Sequence, residues 1–147
     1  MRSEVQLTVY DEVPPEAARV DQGLDAFNTA AAPLDEVRPL VAMLHTEDNQ
    51  WVGGVVGRTW GRCAEVQQVW VETAYRRQGW GTYLMEAFEE QALARGCRTI
   101  YLETFSFQAP DFYRALGYEV RLELSGFAPG IRKYVLVQEF ADEIDET

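Results

Sequence analysis

One short run, Arg76-Arg77-Gln78-Gly79-Trp80-Gly81-Thr82, constrains this chain more than any other. It follows an apolar stretch, Val69-Trp70-Val71, and opens a segment from Gly79 to Arg95. In that segment Trp80, Leu84, Ala87, Phe88 and Ala92 recur near helical spacing. The pattern predicts a strand, a glycine-rich turn and a helix in immediate succession. The N–H groups of a first helical turn have no intrahelical acceptor and sit at the positive end of the helix dipole, so such a turn can hold an anion. Gly79 and Gly81 carry no Cβ, which leaves the backbone open to a phosphate, and Arg76 and Arg77 add positive charge beside it. The Lys-Ser/Thr of a Walker loop is missing, and so is the third glycine of the dinucleotide fingerprint. Read in isolation, the loop is equally a tight strand-to-helix turn.

The segments around it predict a mixed α/β domain. Val5, Leu7 and Val9 alternate with Gln6 and Thr8, which predicts a half-buried strand over 5–10. A helix starting at Pro15 runs to about Ala31, where Pro33 stops it. Strands follow over 39–46, 51–60 and 64–72, with Gly53, Gly54 and Gly57 suggesting bulges or close packing. After the loop and its helix, Gly96 stands at a C-cap position. A strand over 98–105, a short helix over 110–116 and two strands over 119–124 and 131–140 complete the chain. The order is β-α-β-β-β-α-β-α-β-β, with the central helix as a crossover. Trp51, Trp60, Trp70 and Trp80 read as packing residues in or near the core.

Two motifs in this context carry a family resemblance. Arg76-x-x-Gly79-x-Gly81 after an apolar strand resembles motif A of the GNAT superfamily of N-acetyltransferases. Phe112-Tyr113-Arg114-Ala115-Leu116-Gly117-Tyr118 resembles its motif B at the expected distance downstream. The order of elements is also similar, so the resemblance covers the chain from about Val5 to Phe140. The run from Leu102 to Tyr113 is similar to small stand-alone bacterial members. The implied fold is a single GNAT domain over 1–140: a mixed sheet of about seven strands, a splayed fourth and fifth strand (64–72 and 98–105) and flanking helices. An acidic tail over 141–147 follows.

The resemblance implies acetyl-CoA as co-substrate and assigns roles on this chain. The pantetheine arm would lie in the splayed slot against backbone groups of Val69, Trp70 and Val71, one of whose N–H groups would polarise the thioester carbonyl. The pyrophosphate would rest on the N–H groups of Arg77, Gln78, Gly79, Trp80, Gly81 and Thr82, with Arg76 and Arg77 as charge partners. Tyr113 matches the tyrosine used as general acid toward the leaving thiolate. Glu65 falls where histone-type members carry a glutamate base. Glu72, Glu103, or a water held by Gln67 or Gln68 are alternatives. Asn28, with Phe27 beside it, and Phe127 and Tyr134 are candidate acceptor contacts, though each reads more readily as a packing residue.

The expected reaction is direct attack of a primary amine on the thioester in a ternary complex, with a small amine-bearing molecule as acceptor. A catalytically silent acyl-CoA-binding sensor or regulatory module is the rival of a different class, and an unrelated nucleotide-binding protein is a second. A net charge of −11, with Asp142, Glu143, Asp145 and Glu146 near the chain's end, argues against a nucleic-acid partner. No stretch approaches the length of a membrane span, and the first residues lack a signal-peptide core. Cys63 and Cys97 have no metal spacing, so no metal is expected; they read as buried, reduced thiols of a cytoplasmic protein. Dimers are common in the family, which leaves room for a homodimer.

Overall fold

The computed structural model describes residues 4–142. They fall into two compact units, one reaching to Asp35 and the other beginning at Glu36. In the first unit, the strand expected over 5–10 does not form, and Val5, Leu7 and Val9 are exposed. Alternation marks a strand only where a sheet edge accepts its N–H and C=O groups, and no ladder includes this segment. A 3₁₀ turn, Pro15–Ala17, leads into α1, Ala18–Ala31. The Ala32 N–H closes the helix by donating to the Asn28 carbonyl at 3.0 Å. None of the α1 residues is buried.

The second unit is a six-stranded sheet rather than one of about seven. Its strands are β1 (Arg38–His45), β2 (Trp51–Trp60), β3 (Cys63–Val71), β4 (Thr99–Phe105), β5 (Glu119–Leu124) and β6 (Lys133–Glu139), in the order β1-β2-β3-β4-β6-β5. Only β3 and β4 are parallel, and the chain between them contains α2, Trp80–Ala94, as a parallel connection requires. A short helix, α3 (Pro110–Ala115), links β4 to β5.

Helix α2 supplies one side of the core. Leu84, Met85, Phe88 and Ala92 are buried with Val55, Ala64, Val66, Ile100, Leu102 and Leu136 of the sheet. Phe88 lies over Gly57, where a Cβ would come within 2.6 Å of its ring, so Gly57 serves packing. Full burial of one such aromatic side chain is worth about 1.5–3 kcal/mol. Cys97 is buried as expected, but Cys63 is exposed. Trp51, Trp60 and Trp70 are also exposed rather than in the core. At the chain's end, Asp142 receives a hydrogen bond from Arg62 at 2.7 Å and lies 3.3 Å from Arg98 Nε. The rest of the acidic tail, 143–147, lies outside the described residues.

The sheet is irregular at its centre. The β2–β3 ladder sets Val56 opposite Gln68 and Gly57 opposite Val66, which leaves Gln67 as an extra residue. Such a bulge bends its strand and breaks the ladder locally. The parallel ladder accordingly runs only from Cys63↔Thr99 to Val66↔Leu102. Beyond it β3 pairs with β2 alone, and the edge facing β4 is open.

Candidate active site

The open edge of β3, the glycine loop and α3 enclose one cavity of about 690 Å³. Of the ten residues expected around the donor, Val69, Trp70, Val71, Arg76, Arg77, Gly79, Trp80, Gly81 and Thr82 line it. Gln78 does not, because it is engaged within the loop. Its amide donates to the Ala74 carbonyl at 3.4 Å and accepts from Trp80 Nε1 at 3.3 Å.

Backbone conformation shapes the cradle. Gly79 caps α2 in the left-handed region at φ 86, with no side-chain cap. The N–H groups of the first turn therefore lack an intrahelical acceptor. Arg77 is left-handed too, at φ 62, which costs a non-glycine residue about 1–3 kcal/mol. Gly81 has a different reason to be glycine: a Cβ there would stand 3.3 Å from the Phe112 ring, so motif A and motif B pack directly on each other. Arg76 is fixed by a hydrogen bond from Nε to the Val71 carbonyl at 2.8 Å and by its position 4.4 Å over the Trp70 ring. That bond occupies one of the strand groups expected to face pantetheine.

Tyr113 lines this cavity and a second one of about 450 Å³ at the splay, together with Gln67, Gln68, Glu103 and Thr104. Burial pushes its hydroxyl above the usual tyrosine range, so it is protonated at neutral pH. No hydrogen bond to that hydroxyl is found among the described residues.

Glu65 lies elsewhere. It accepts from Arg58 Nε at 2.8 Å and lines a third cavity with Val66, Gln67, Glu103, Gln108 and Lys133. That cavity shares Glu103, Gln67 and Gln108 with the splay cavity, so the two adjoin. Glu103 pairs with Lys133 at 2.9 Å, and Glu72 accepts from Trp70 Nε1 at 2.9 Å.

The expected acceptor contacts fall on separate elements. Asn28 belongs to α1 in the first unit, Phe127 lines the β5–β6 turn, and Tyr134 lies on β6 opposite Thr104. Phe107 and Gln108, given no site role in the sequence reading, both line the donor cavity. Gln108 Oε1 accepts the Phe105 N–H at 2.7 Å, a contact that a loop glutamine does not announce.

A bulged strand splayed from its parallel neighbour and an uncapped glycine-led helix lie around one cavity that Tyr113 also lines, the arrangement expected of an acyl-CoA-type transferase. The model of the Acetyltransferase (GNAT) family matches residues 8–118, and the chain belongs to that family. It is 33% identical over 111 residues to the blasticidin-S acetyltransferase of Streptomyces morookaense, covering 73% of this chain and 82% of that protein. The fold resembles an acetyltransferase crystal structure from Bacillus cereus, with a TM-score of 0.76 at 23% identity over 91% of this chain and 98% of that one. It also resembles a Bacillus anthracis streptothricin acetyltransferase solved with acetyl coenzyme A, with a TM-score of 0.60 at 20% identity over 70% of this chain and 63% of that one. The chain is accordingly an acetyl-CoA-dependent N-acetyltransferase. Among the described residues, no helix is long and apolar enough to cross a membrane.

Proposed function

We propose that this chain moves the acetyl group of acetyl-CoA directly onto a primary amine of a small molecule, within a ternary complex. The observation carrying this reading is that Tyr113, whose hydroxyl has no hydrogen bond among the described residues, lines the cavity that the glycine loop and the open edge of β3 also line. The pyrophosphate rests on the N–H groups from Arg77 to Thr82, and Arg76 and Arg77 neutralise it. A backbone N–H within Val69–Val71 stabilises the developing oxyanion. Tyr113 gives its proton to the departing thiolate.

Glu65 takes the amine proton through water, since the cavity it lines adjoins the splay. Glu103 is the second reading, favoured by its lining both of those cavities. Replacing each with Gln separates them, because only the base variant loses rate steeply at neutral pH.

The first candidate acceptor is blasticidin S, which names the activity of the 33%-identical relative. The test follows free thiol released from acetyl-CoA over a panel of amines that includes blasticidin S and an N-terminal peptide amine. Release with blasticidin S and acetylated product by mass spectrometry are expected. Stabilisation by acetyl-CoA with no release on any amine would favour the sensor instead. Tyr113→Phe is expected to keep CoA affinity within a few-fold and to lower turnover by roughly 10²-fold.

A further inference from the structure

Nothing polar holds the Tyr113 hydroxyl among the described residues, so packing alone sets its position. Two contacts clamp the segment that carries it onto α2. Near the start of α2, the Phe112 ring packs on Gly81. Farther along, the Tyr118 hydroxyl donates to Glu89 Oε1 at 3.1 Å. Gly81 and Glu89 are eight residues apart, or about 12 Å along a helix at 1.5 Å per residue. Two anchors that far apart fix both the place and the tilt of α3.

The second anchor connects directly to Tyr113. The Tyr118 N–H donates to the Tyr113 carbonyl at 3.1 Å, and the two rings meet edge to face at 6.3 Å. Tyr118 is 2% exposed. Burial first, and then the carboxylate beside it, push its hydroxyl far above the usual tyrosine range, so it remains the donor. Glu89 is half-buried, and burial raises its carboxyl while the Tyr118 hydrogen bond draws it back down. A half-buried carboxylate on a core-facing helix is costly without a partner. Glu89 has Tyr118.

We infer that Glu89 is a positioning residue: through Tyr118 it holds Tyr113 at the distance from the glycine loop that proton delivery to the thiolate needs. The inference rests on the reading of Tyr113 as the acid, and the test separates the two. 3-Fluorotyrosine is placed at position 113, and its ¹⁹F resonance is recorded with CoA bound. Tyr118→Phe keeps the ring and removes only the oxygen, and Glu89→Leu removes the acceptor; both are expected to shift the resonance. Glu89→Gln keeps an acceptor oxygen and is expected to leave it in place.

In Tyr118→Phe and Glu89→Leu without the fluorine label, acetylation of blasticidin S is expected to lose about 10-fold in kcat, the scale of a sub-ångström misplacement. KM for acetyl-CoA should stay within twofold, and Glu89→Gln should restore the rate. An unmoved resonance in Tyr118→Phe and Glu89→Leu overturns the inference. A moved resonance with full turnover in Tyr113→Phe leaves Glu89 as the positioner and removes the acid reading. If blasticidin S is not acetylated, the acceptor assignment fails and the resonance alone decides. Should Glu89→Leu not fold, Tyr118→Phe breaks the same bond.

Discussion

Replacing Gly79 with alanine isolates the conformational energy stored in the anion loop. Gly79 holds φ +86, and a Cβ there would meet nothing within 4 Å, so the substitution changes backbone preference and not packing. Holding an L-residue in the left-handed region costs about 1–2 kcal/mol. Alanine also lowers the entropy of the unfolded chain, which offsets about 0.4–1 kcal/mol of that in a stability measurement. A binding measurement compares two folded states, so the offset is absent there. If the free loop relaxes and CoA restores it, the dissociation constant for CoA rises by the full strain, roughly 5- to 30-fold. If the free loop stays rigid, the strain lowers stability instead, and affinity changes only by what the new Cβ takes from the phosphate's approach.

Gly61 provides the reference. It sits in the β2–β3 turn at φ +58, with open space around its Cβ position and no part in the donor cavity. Gly61→Ala is expected to change stability and leave affinity alone. The stability and binding changes of Gly79→Ala should together match that single change. Urea unfolding and titration calorimetry with CoA measure the three quantities. Wild-type affinity together with stability above wild type in Gly79→Ala would refute the strain argument.

Gly81→Glu is expected to abolish CoA binding in calorimetry while the protein stays folded, because the new carboxylate competes with phosphate for the same N–H groups; retained affinity would remove the cradle assignment. Under the proposed acid role of Tyr113 its protonated form is the working form, and burial raises its pKa, so kcat should not fall as pH rises toward 10, the ordinary tyrosine value; a fall below that pH, absent in Tyr113→Phe, would contradict this. Phe88→Ala should cost about 3–5 kcal/mol in urea unfolding, since Phe88 is 1% exposed and its cavity is closed on one side by backbone at Gly57. The hydrogen bond from Arg62, and then its charge, lower the pKa of Asp142. Its contribution is present above the unfolded carboxylate pKa and lost as pH falls through the lower folded value, so Asp142→Asn should be less stable than wild type at pH 7 and equal to it in strong acid.

What the chain states locally, it states well. The strand, loop and helix around Gly79 form as their pattern predicts, because apolar spacing, the missing Cβ and the arginines all act within a few residues. Motif B forms for the same reason. The strand expected over 5–10 fails because alternation describes one face of a ladder and says nothing of a partner. Exposure of Trp51, Trp60 and Trp70 was hidden because a large aromatic is compatible with core and rim alike. Gln108 and Phe107 enter the donor cavity through the path of the loop after β4, which no residue type in that loop encodes. The carboxylates were the hardest to place: Glu65 and Glu103 each acquire a cross-strand partner that only the folded register supplies, and Glu72 is taken by Trp70 two residues before it.

The bulge at Gln67 turns the active site into a matter of counting. Remove that one residue and the β2–β3 ladder can run unbroken, with Gln68 stepping into the register place next to Val66. The later side chains of β3 would keep their partners on β2, while the strand, no longer bent by the bulge, could zip onto β4 to its end. The gap that admits the cofactor would close without any change to the glycine loop, to Tyr113 or to the core. A single codon's deletion therefore separates a sheet with a slot from a sheet without one, and chains that kept every motif residue but lost that position would fold and fail to bind.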